Sequence, residues 1–334
     1  MVIGLFVLAG VVQVTINSKR SYLDSQEVSN IQDNVRYALD ILAKDFRSAG
    51  YRACANKAPN IVNVIATAEK SKIPGAFDLK AISAFDGDTN SGLPADMPTF
   101  YSQQQGLPSG APKPDVVTLR TVTNTNELTL SNHNPMSGIL NTWQPVTFPE
   151  GTPFIVVDSS CQNIAILVGQ KNAASANEIQ ISNKNCNKGL NSVLPFSCGA
   201  NITPDTTAPL SPGSNIFPYA ANTYFIALSN TFSDTPALKR RFIQVKNGEL
   251  SYQIEEIALG VENMQLTYGE DPNSDGKVDG AFKAANGITQ WDRVIAMRIE
   301  LSLRSYKAVG SPGQADGFIR KNVGSTILLR NIGI

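Results

Sequence analysis

Histidine is nearly absent from this sequence, and so is any excess of charge of one sign. The 334 residues include one histidine, His133, and 28 basic residues balance 28 acidic ones. Histidine is the commonest general base and zinc ligand, so its scarcity argues against an ordinary hydrolase or a zinc enzyme. Phosphate binding needs a clustered surplus of Lys and Arg, so zero net charge argues against nucleic acid as the main partner.

The sequence patterns of common catalytic and cofactor sites are missing as well. There is no Walker phosphate loop, no dinucleotide-binding glycine pattern after a strand, and no G-x-S-x-G elbow. His133 lies in the polar segment SNHNP, which predicts a solvated loop residue rather than a catalyst. We therefore predict that the protein is not an enzyme and requires neither a cofactor nor a small-molecule substrate.

Charged residues are also sparse, at 17% of the chain, compared with about 25% in typical soluble domains. Uncharged polar residues take their place, as in many exported proteins. The four cysteines, Cys54, Cys161, Cys186 and Cys198, form no C-x-x-C pair, and one histidine cannot complete a zinc set. An even cysteine count in an exported protein favours two disulfides.

Three pairings of four cysteines exist, and the positions favour one of them. Cys186 and Cys198 bracket a loop of low apolar content that a local bridge would order. Cys54 follows a predicted helix and Cys161 lies beside a predicted strand, so their bridge would tie helix to sheet. We predict the pairs Cys54–Cys161 and Cys186–Cys198.

The longest apolar run is at the N-terminus. Residues 1–16 carry no charge, and Gln13 and Thr15 are their polar interruptions. As a helix the run is about 24 Å long, whereas a bilayer core of about 30 Å needs roughly 20 residues, so it is short for a complete span. No basic segment precedes it and no small-x-small cleavage site follows it, which disfavours a secretory signal peptide.

The chain then continues as a one-sided helix. No Pro or Gly interrupts residues 11–49, and Gly50 follows as an expected stop signal. We predict a helix over residues 1–50, with a transmembrane or assembly part at 1–16 and an amphipathic part at 17–50. Its apolar residues recur at helical spacing and are predicted to pack on a sheet: Ile31, Val35, Leu39, Leu42 and Phe46.

After residue 50 the helical period disappears and strand patterns dominate. Residues 51–334 are predicted to form a mainly antiparallel β head with long loops at 55–114 and 183–222. The predicted fold class is therefore α+β, a long N-terminal α-helix packed on an antiparallel β-sheet head. Short β-rich runs bounded by turn residues are the evidence: Asp115–Val122, Phe154–Val157, Asn163–Val168, Glu178–Ser182 and Thr223–Leu228.

The best-specified unit is a hairpin over residues 241–254. Asn247-Gly248 is the strongest two-residue hairpin signal. Folding about it is predicted to pair Lys246 with Glu249, Val245 with Leu250, and Ile243 with Tyr252. Residues 293–305 alternate cleanly, with odd-numbered apolar side chains predicted inward and Arg298, Glu300, Ser302 and Arg304 outward, and residues 325–330 are predicted as the last strand. The basic run Lys239-Arg240-Arg241 is interpreted as a solvated strand start.

One polar segment has the oxygen spacing of a calcium loop. Asp271, Asn273, Asp275, the carbonyl of Lys277, and Asp279 occupy ligand positions, with a glycine at position six. The twelfth position, where a bidentate Glu belongs, holds phenylalanine. The sequence predicts a weak calcium site here, and the alternative is an exposed, Asx-rich turn.

Stretches at both ends of the sequence carry a family resemblance. At the start stands MVIGLFVLAGVVQV, followed by a helix that ends in DFRSAGYRAC; towards the end stand VENMQLTYGEDPNSDGKVDG, WDRVIAMRIELSLRS and STILLRN. These segments resemble PilW-family minor pilins of type IV pili. Members of this family begin with a basic leader, a glycine at the cleavage point and a glutamate shortly after it, and the sequence shows none of these features. We therefore expect an N-terminally truncated member.

The resemblance implies a structural role. A minor pilin of this kind helps to prime assembly of a type IV pilus and sits at its tip, with twitching motility, adhesion and DNA uptake as consequences. Its implied partners are other minor and major pilins through the N-terminal helix, a tip adhesin, and the inner membrane before assembly. The head would be periplasmic and later at the cell surface, with nucleic acid met only through the assembled pilus.

Two alternatives share some of these features. A pseudopilin of a type II secretion system follows the same plan. A membrane-anchored periplasmic adhesin that depends on calcium would also combine an apolar anchor with a β head.

Overall fold

The computed structural model describes most of the chain outside the longest predicted loops. Cys198 and much of the segments 55–114 and 183–222 lie outside the described residues. These are residues 2–55, 60–78, 80–88, 112–123, 125, 127–135, 137–172, 175–181, 183–186, 210–309 and 316–332.

A single long helix, α1, extends over Val2–Ser48, 47 residues in all. It ends at Gly50, whose positive φ of 77° suits a residue without a side chain. A Cβ at Gly50 would lie within 3.0 Å of atoms near the C-terminus, so the chain also packs closely there. A second helix, α2, is a short turn over Thr67–Lys70.

Fourteen strands make up most of the described remainder. Several begin or end beyond the β-rich runs seen in the sequence. In chain order they are β1 (Asn60–Asn63), β2 (Ile82–Phe85), β3 (Val116–Val122), β4 (Leu128–Asn134), β5 (Ile139–Thr142), β6 (Pro153–Val157), β7 (Asn163–Lys171), β8 (Glu178–Ile181), β9 (Asn215–Leu228), β10 (Pro236–Lys246), β11 (Glu249–Leu259), β12 (Val261–Glu270), β13 (Val294–Arg304) and β14 (Arg320–Leu328).

The strands form two sheets. In the larger, eleven strands are joined in the order β1-β7-β8-β5-β4-β9-β10-β11, with β2, β3 and β6 attached through β9 and β7. The β1–β7 pair is parallel, so this sheet is mixed. The smaller sheet is antiparallel, in the order β12-β13-β14.

The predicted fold class is wrong. The protein is mostly β-sheet, with one N-terminal helix and a large mixed sheet, rather than an α+β protein with an antiparallel β-sheet head. The sequence understated the strand content because β1, β2 and β5 are four-residue strands, too short to show a period. β9 also contains Pro218 and two asparagines, Asn215 and Asn222, which read as loop.

The hairpin prediction is confirmed residue by residue. β10 and β11 pair with Lys246 opposite Glu249, Val245 opposite Leu250, and Ile243 opposite Tyr252. Asn247 and Gly248 both have positive φ, as a tight hairpin turn of this type requires.

The alternation predicted for β13 is largely observed, with one exception. Arg298 and Glu300 are exposed and the odd-numbered apolar residues are buried. Arg304 is buried instead of exposed. Its guanidinium lies 4.2 Å from the centre of the Phe318 ring and 3.7 Å from Glu262, so an aromatic face and a carboxylate replace the lost water.

Two further polar predictions are wrong. His133 is buried in β4, where its Nδ1 accepts a hydrogen bond from the Leu210 N–H at 2.9 Å. Lys239 and Arg241 are buried in β10, and Arg241 donates to the Pro74 carbonyl at 3.0 Å. Both strands have a neighbour on each side, and these residues occupy positions whose side chains the fold buries, whereas Asn132 and Asn134 of β4 are exposed.

Candidate functional site

The N-terminal part of α1 exposes a group of large apolar side chains. Leu8, Val11, Val12, Val14 and Ile16 are each 44–65% exposed. A helix that is apolar all round is normally covered by other helices or by lipid. Across the described residues, no helix has a stretch long and apolar enough to cross a membrane. We call residues 8–16 the exposed half of α1.

The C-terminal part of α1 buries one face against the β head. Ile31, Ala38, Leu42 and Phe46 are buried at intervals of about one or two turns, and Leu42 and Phe46 are fully covered. They share a core with residues of both sheets, and the helix contacts β3, β11, β13 and β14. Burying such side chains contributes about 1.5–3 kcal/mol each. We call residues 27–48 the docked half of α1.

The structure places the five predicted packing residues at different depths. Ile31, Leu42 and Phe46 are buried, whereas Val35 and Leu39 are partly buried at the margins of the same core. Ala38, which the sequence did not single out, lies at the centre of the stripe. Its small side chain gives a weak hydrophobic signal and lets the helix approach the sheet.

A polar cluster fixes the end of the docked half. The Asp45 carboxylate accepts hydrogen bonds from Asn222 and from the Tyr224 hydroxyl, both at 2.6 Å, and forms an ion pair with Arg240 at 3.4 Å. Next to it, the Phe46 ring stacks on Tyr224 with ring centres 6.4 Å apart. Burial, together with the Asp45 charge, raises the pKa of Tyr224 far above its usual value. The hydroxyl therefore stays protonated and remains a donor to Asp45.

The last carbonyls of α1 also find partners on the head. Asn331 donates to the Arg47 carbonyl at 3.1 Å, and Thr121 donates to the Ser48 carbonyl at 2.7 Å. These carbonyls have no partner within a helix, so side-chain donors are needed wherever the helix end is covered. The docked half is thus attached through its terminus as well as through its apolar face.

The docked half begins at a buried acidic residue. Glu27 is buried, and its carboxylate accepts the Tyr306 N–H at 2.9 Å. Asn34, two turns on, donates to the Tyr306 hydroxyl. Burial raises the pKa of Tyr306. A charged residue four positions before Ile31, on the same stripe, was the sequence signal that could have revealed this contact.

The predicted bridge between Cys54 and Cys161 is confirmed. The two Cα atoms are 5.6 Å apart, and the bridge closes a separation of 107 residues. Cys54 follows the end of α1 and Cys161 precedes β7, so the bridge joins the helix end to the large sheet. Cys186 is also disulfide-bonded, and its predicted partner Cys198 lies outside the described residues.

The predicted calcium loop follows β12 and is held by its own hydrogen bonds. Asp271 is 1% exposed, and its carboxylate accepts the N–H groups of Asp275 at 3.1 Å and Gly276 at 2.8 Å. Asn273 accepts the same Asp275 N–H at 2.9 Å, and Asp275 accepts the Lys277 N–H at 2.9 Å. Asp279 is exposed. Within the described ranges, no three His, Cys, Asp or Glu side chains are grouped so that they could hold a metal ion.

Fold and site together define a β-rich head that carries one long helix with an exposed apolar end. The family model of PilW, type IV pilus-assembly protein W, matches residues 223–326. The match supports assigning the chain to the PilW family, and with it a role in type IV pilus assembly, interaction with other assembly components and association with the cell envelope. Comparison with curated proteins and with solved structures finds no match.

The matched segment covers less than a third of the chain. It begins in β9, at Thr223, and ends in β14, at Thr326. Three of the strands that α1 contacts, β11, β13 and β14, lie within it or reach into it. The family match therefore coincides with the part of the head that holds the docked half of the helix.

Proposed function

We propose that the protein is a structural minor pilin, which joins a type IV pilus through the exposed half of α1. The observation that carries this proposal is the division of one helix into a half that the head covers and an apolar half that it does not. An apolar helix exchanges lipid contacts for contacts with other helices at little hydrophobic cost. The exposed half is therefore suited both to retention at the inner membrane and to later packing among other pilin helices.

The head would then act by position rather than by catalysis. The buried stripe and the polar cluster at Asp45 fix the head relative to the helix, so a subunit packed through its exposed half presents the head at a defined orientation. Such a subunit serves to prime the fibre and to remain at its tip, with the head on the periplasmic side before assembly. Adhesion and twitching motility would follow from the assembled pilus.

The first test introduces one charge into the exposed half. Val12→Asp is compared with Tyr37→Asp in cells that lack the wild-type copy; both original side chains are exposed, on the same helix. A charge among packed apolar helices is costly, so we expect Val12→Asp to abolish recovery of the subunit in sheared pili and to reduce surface pili strongly. Tyr37→Asp should leave both unchanged.

Two further measurements make the result specific. The melting temperature of each purified variant should match that of the wild type, because neither residue contributes to the core. Immunogold labelling of assembled pili should mark one end of each fibre. Normal incorporation of Val12→Asp would overturn the proposed route of assembly, and labelling along the shaft would overturn the tip position.

A further inference from the structure

The two edge strands of the smaller sheet differ in whether another segment of the chain covers them. The β12 edge is covered by residues 112–115: the Asp115 N–H donates to the Met264 carbonyl at 2.8 Å, and the Leu266 N–H donates to the Asp115 carboxylate at 2.7 Å. The opposite edge is β14. None of the residues that the structure describes pairs with β14 on its outer side.

The backbone groups on the β14 edge can be identified from the ladder with β13. The Ser305 N–H donates to the Ile319 carbonyl and the Leu329 N–H to the Ile295 carbonyl, each at 2.8 Å. In an antiparallel pair, hydrogen-bonded positions alternate along each strand. Odd-numbered residues of β14 therefore bond to β13, and the N–H and C=O groups of Asn322, Gly324 and Thr326 point away from the sheet, as do those of Leu328.

This edge is also accessible and regular. Asn322, Gly324, Thr326 and Leu328 are all exposed, and Leu328 is 66% exposed although it is apolar. The β13–β14 register has no bulge. Natural edge strands are usually protected by proline, by a bulge or by a charge within the strand. β14 carries charge only at its start, at Arg320 and Lys321, and residues 322–329 contain neither proline nor charge.

Charge at the two ends of the edge indicates what it would accept. Lys321 and Arg330 are exposed at either end, and residues 317–332 contain no acidic side chain. Two antiparallel copies of this edge would bring Lys321 of one copy near Arg330 of the other, whereas the nearby acids Glu262 and Asp316 are already paired with Arg320. A segment with acidic ends would form favourable cross-strand pairs instead.

We propose that the β14 edge accepts an extended segment of another polypeptide as an added β-strand. The segment is uncharged and rich in β-branched residues in its middle and carries an acidic residue at each end. Main-chain hydrogen bonds to Asn322, Gly324, Thr326 and Leu328 supply affinity, and Lys321 and Arg330 set which segments are accepted. This surface is distinct from the exposed half of α1, so either proposal can fail without the other.

The test measures binding of a fluorescent peptide to the full chain in mild detergent. The probe alternates threonine and valine between terminal glutamates. One control peptide has lysine at both ends, and another has the same acidic sequence with alternate backbone nitrogens methylated. We expect the acidic probe to bind and both controls to bind at least about tenfold more weakly, since one has like charge and the other lacks donors.

Two variants locate the binding on β14. Thr326→Pro removes an N–H that points away from the sheet and leaves the hydrogen bonds to β13 intact, and proline is tolerated at such edge positions. The variant should bind the acidic probe about tenfold more weakly. Lys321→Glu with Arg330→Glu should reverse the preference, so that the lysine-ended peptide binds better. These two residues are exposed and lie outside the core, so the reversal can be read even if Thr326→Pro fails to fold.

Hydrogen exchange supplies an independent readout. Amides of Asn322, Gly324 and Thr326 should exchange quickly in the free chain and slowly with the acidic probe, whereas odd-numbered amides of β14 stay slow throughout. No binding at about 1 mM probe, or equal binding to the double glutamate variant, overturns the proposal. Concentration-dependent self-association without peptide, abolished by Thr326→Pro, overturns it in favour of a second copy.

Discussion

The two halves of α1 share one backbone and have opposite surroundings. The exposed half is the more apolar, yet the head leaves it uncovered; the docked half is rich in charged residues, yet Leu42 and Phe46 have no exposed surface. Apolar content alone therefore does not decide what a chain buries in its own core. A stripe on one face lets a helix pack on a sheet, whereas apolar residues on all faces call for partners beyond one sheet.

The polar contacts of α1 also differ between its two halves. Glu27, Asn34 and Asp45 all lie in the docked half and each bonds to a residue of the head. In the exposed half, the described hydroxyl of Thr15 bonds back to the carbonyl of Val11 in its own helix at 2.8 Å. The docked half is thus bound to the head by specific hydrogen bonds, whereas the side-chain hydrogen bond described for the exposed half stays within the helix.

The largest effect expected from this comparison is on stability. Phe46→Ala should lower the free energy of unfolding by about 3–5 kcal/mol, because it removes a fully buried ring stacked on Tyr224. Val12→Ala in the exposed half should change it by no more than about 0.5 kcal/mol. Chemical denaturation of the two variants checks both values. A loss of similar size at both positions would show that the two halves are not divided as described.

The next largest effect on stability concerns the Cys54–Cys161 disulfide, which follows the end of the docked half. Replacing Cys54 and Cys161 together by alanine should cost about 2–5 kcal/mol, because the bridge restricts a long loop in the unfolded chain. Gln162→Ala, at an exposed neighbour, is the control and should have little effect. Denaturation under oxidising conditions gives the comparison, and peptide mapping without reduction verifies the bridge. An unchanged midpoint would mean that helix and sheet hold together without it.

A smaller effect should mark the boundary between the halves. Glu27→Ala removes the acceptor of the Tyr306 N–H and should cost about 1–3 kcal/mol. Val28→Ala, one residue on and exposed, should be close to neutral. The two melting curves place the start of the docked half to within one turn. Equal stability of both variants would move that start towards Ile31.

The features of the fold and site that could be predicted from the sequence were those marked by a repeating pattern rather than by residue type. The stripe at Ile31, Leu42 and Phe46 was visible because it repeats at the helical period, and the β10–β11 register was visible because Asn247-Gly248 fixes a two-residue turn. The Cys54–Cys161 bridge followed from their placement beside a helix end and a strand.

Predictions based on chemical type alone did less well. His133 and Lys239 were expected in solvent because they are polar, but both occupy strand positions whose side chains the fold buries. The fold class was wrong because strands of four residues within Pro- and Asn-rich segments give no periodic signal. Asp45 could not be identified as a site residue, since its partners, Tyr224 and Arg240, are distant in sequence and meet it only in the fold.

The smallest expected effect concerns the Asp271–Asp279 loop, which belongs to neither half of α1. The oxygen spacing predicts weak calcium binding, whereas the Asp271 carboxylate accepts hydrogen bonds from within the loop and, among the described residues, no three acidic side chains are grouped to hold a metal ion. Because of this structural observation, we expect about 10 mM calcium to leave the melting temperature unchanged. A weak site would instead raise it by about 2–4 °C. Such a rise, lost in Asp275→Ala and kept in Asp292→Ala, would favour the calcium prediction over a self-bonded turn.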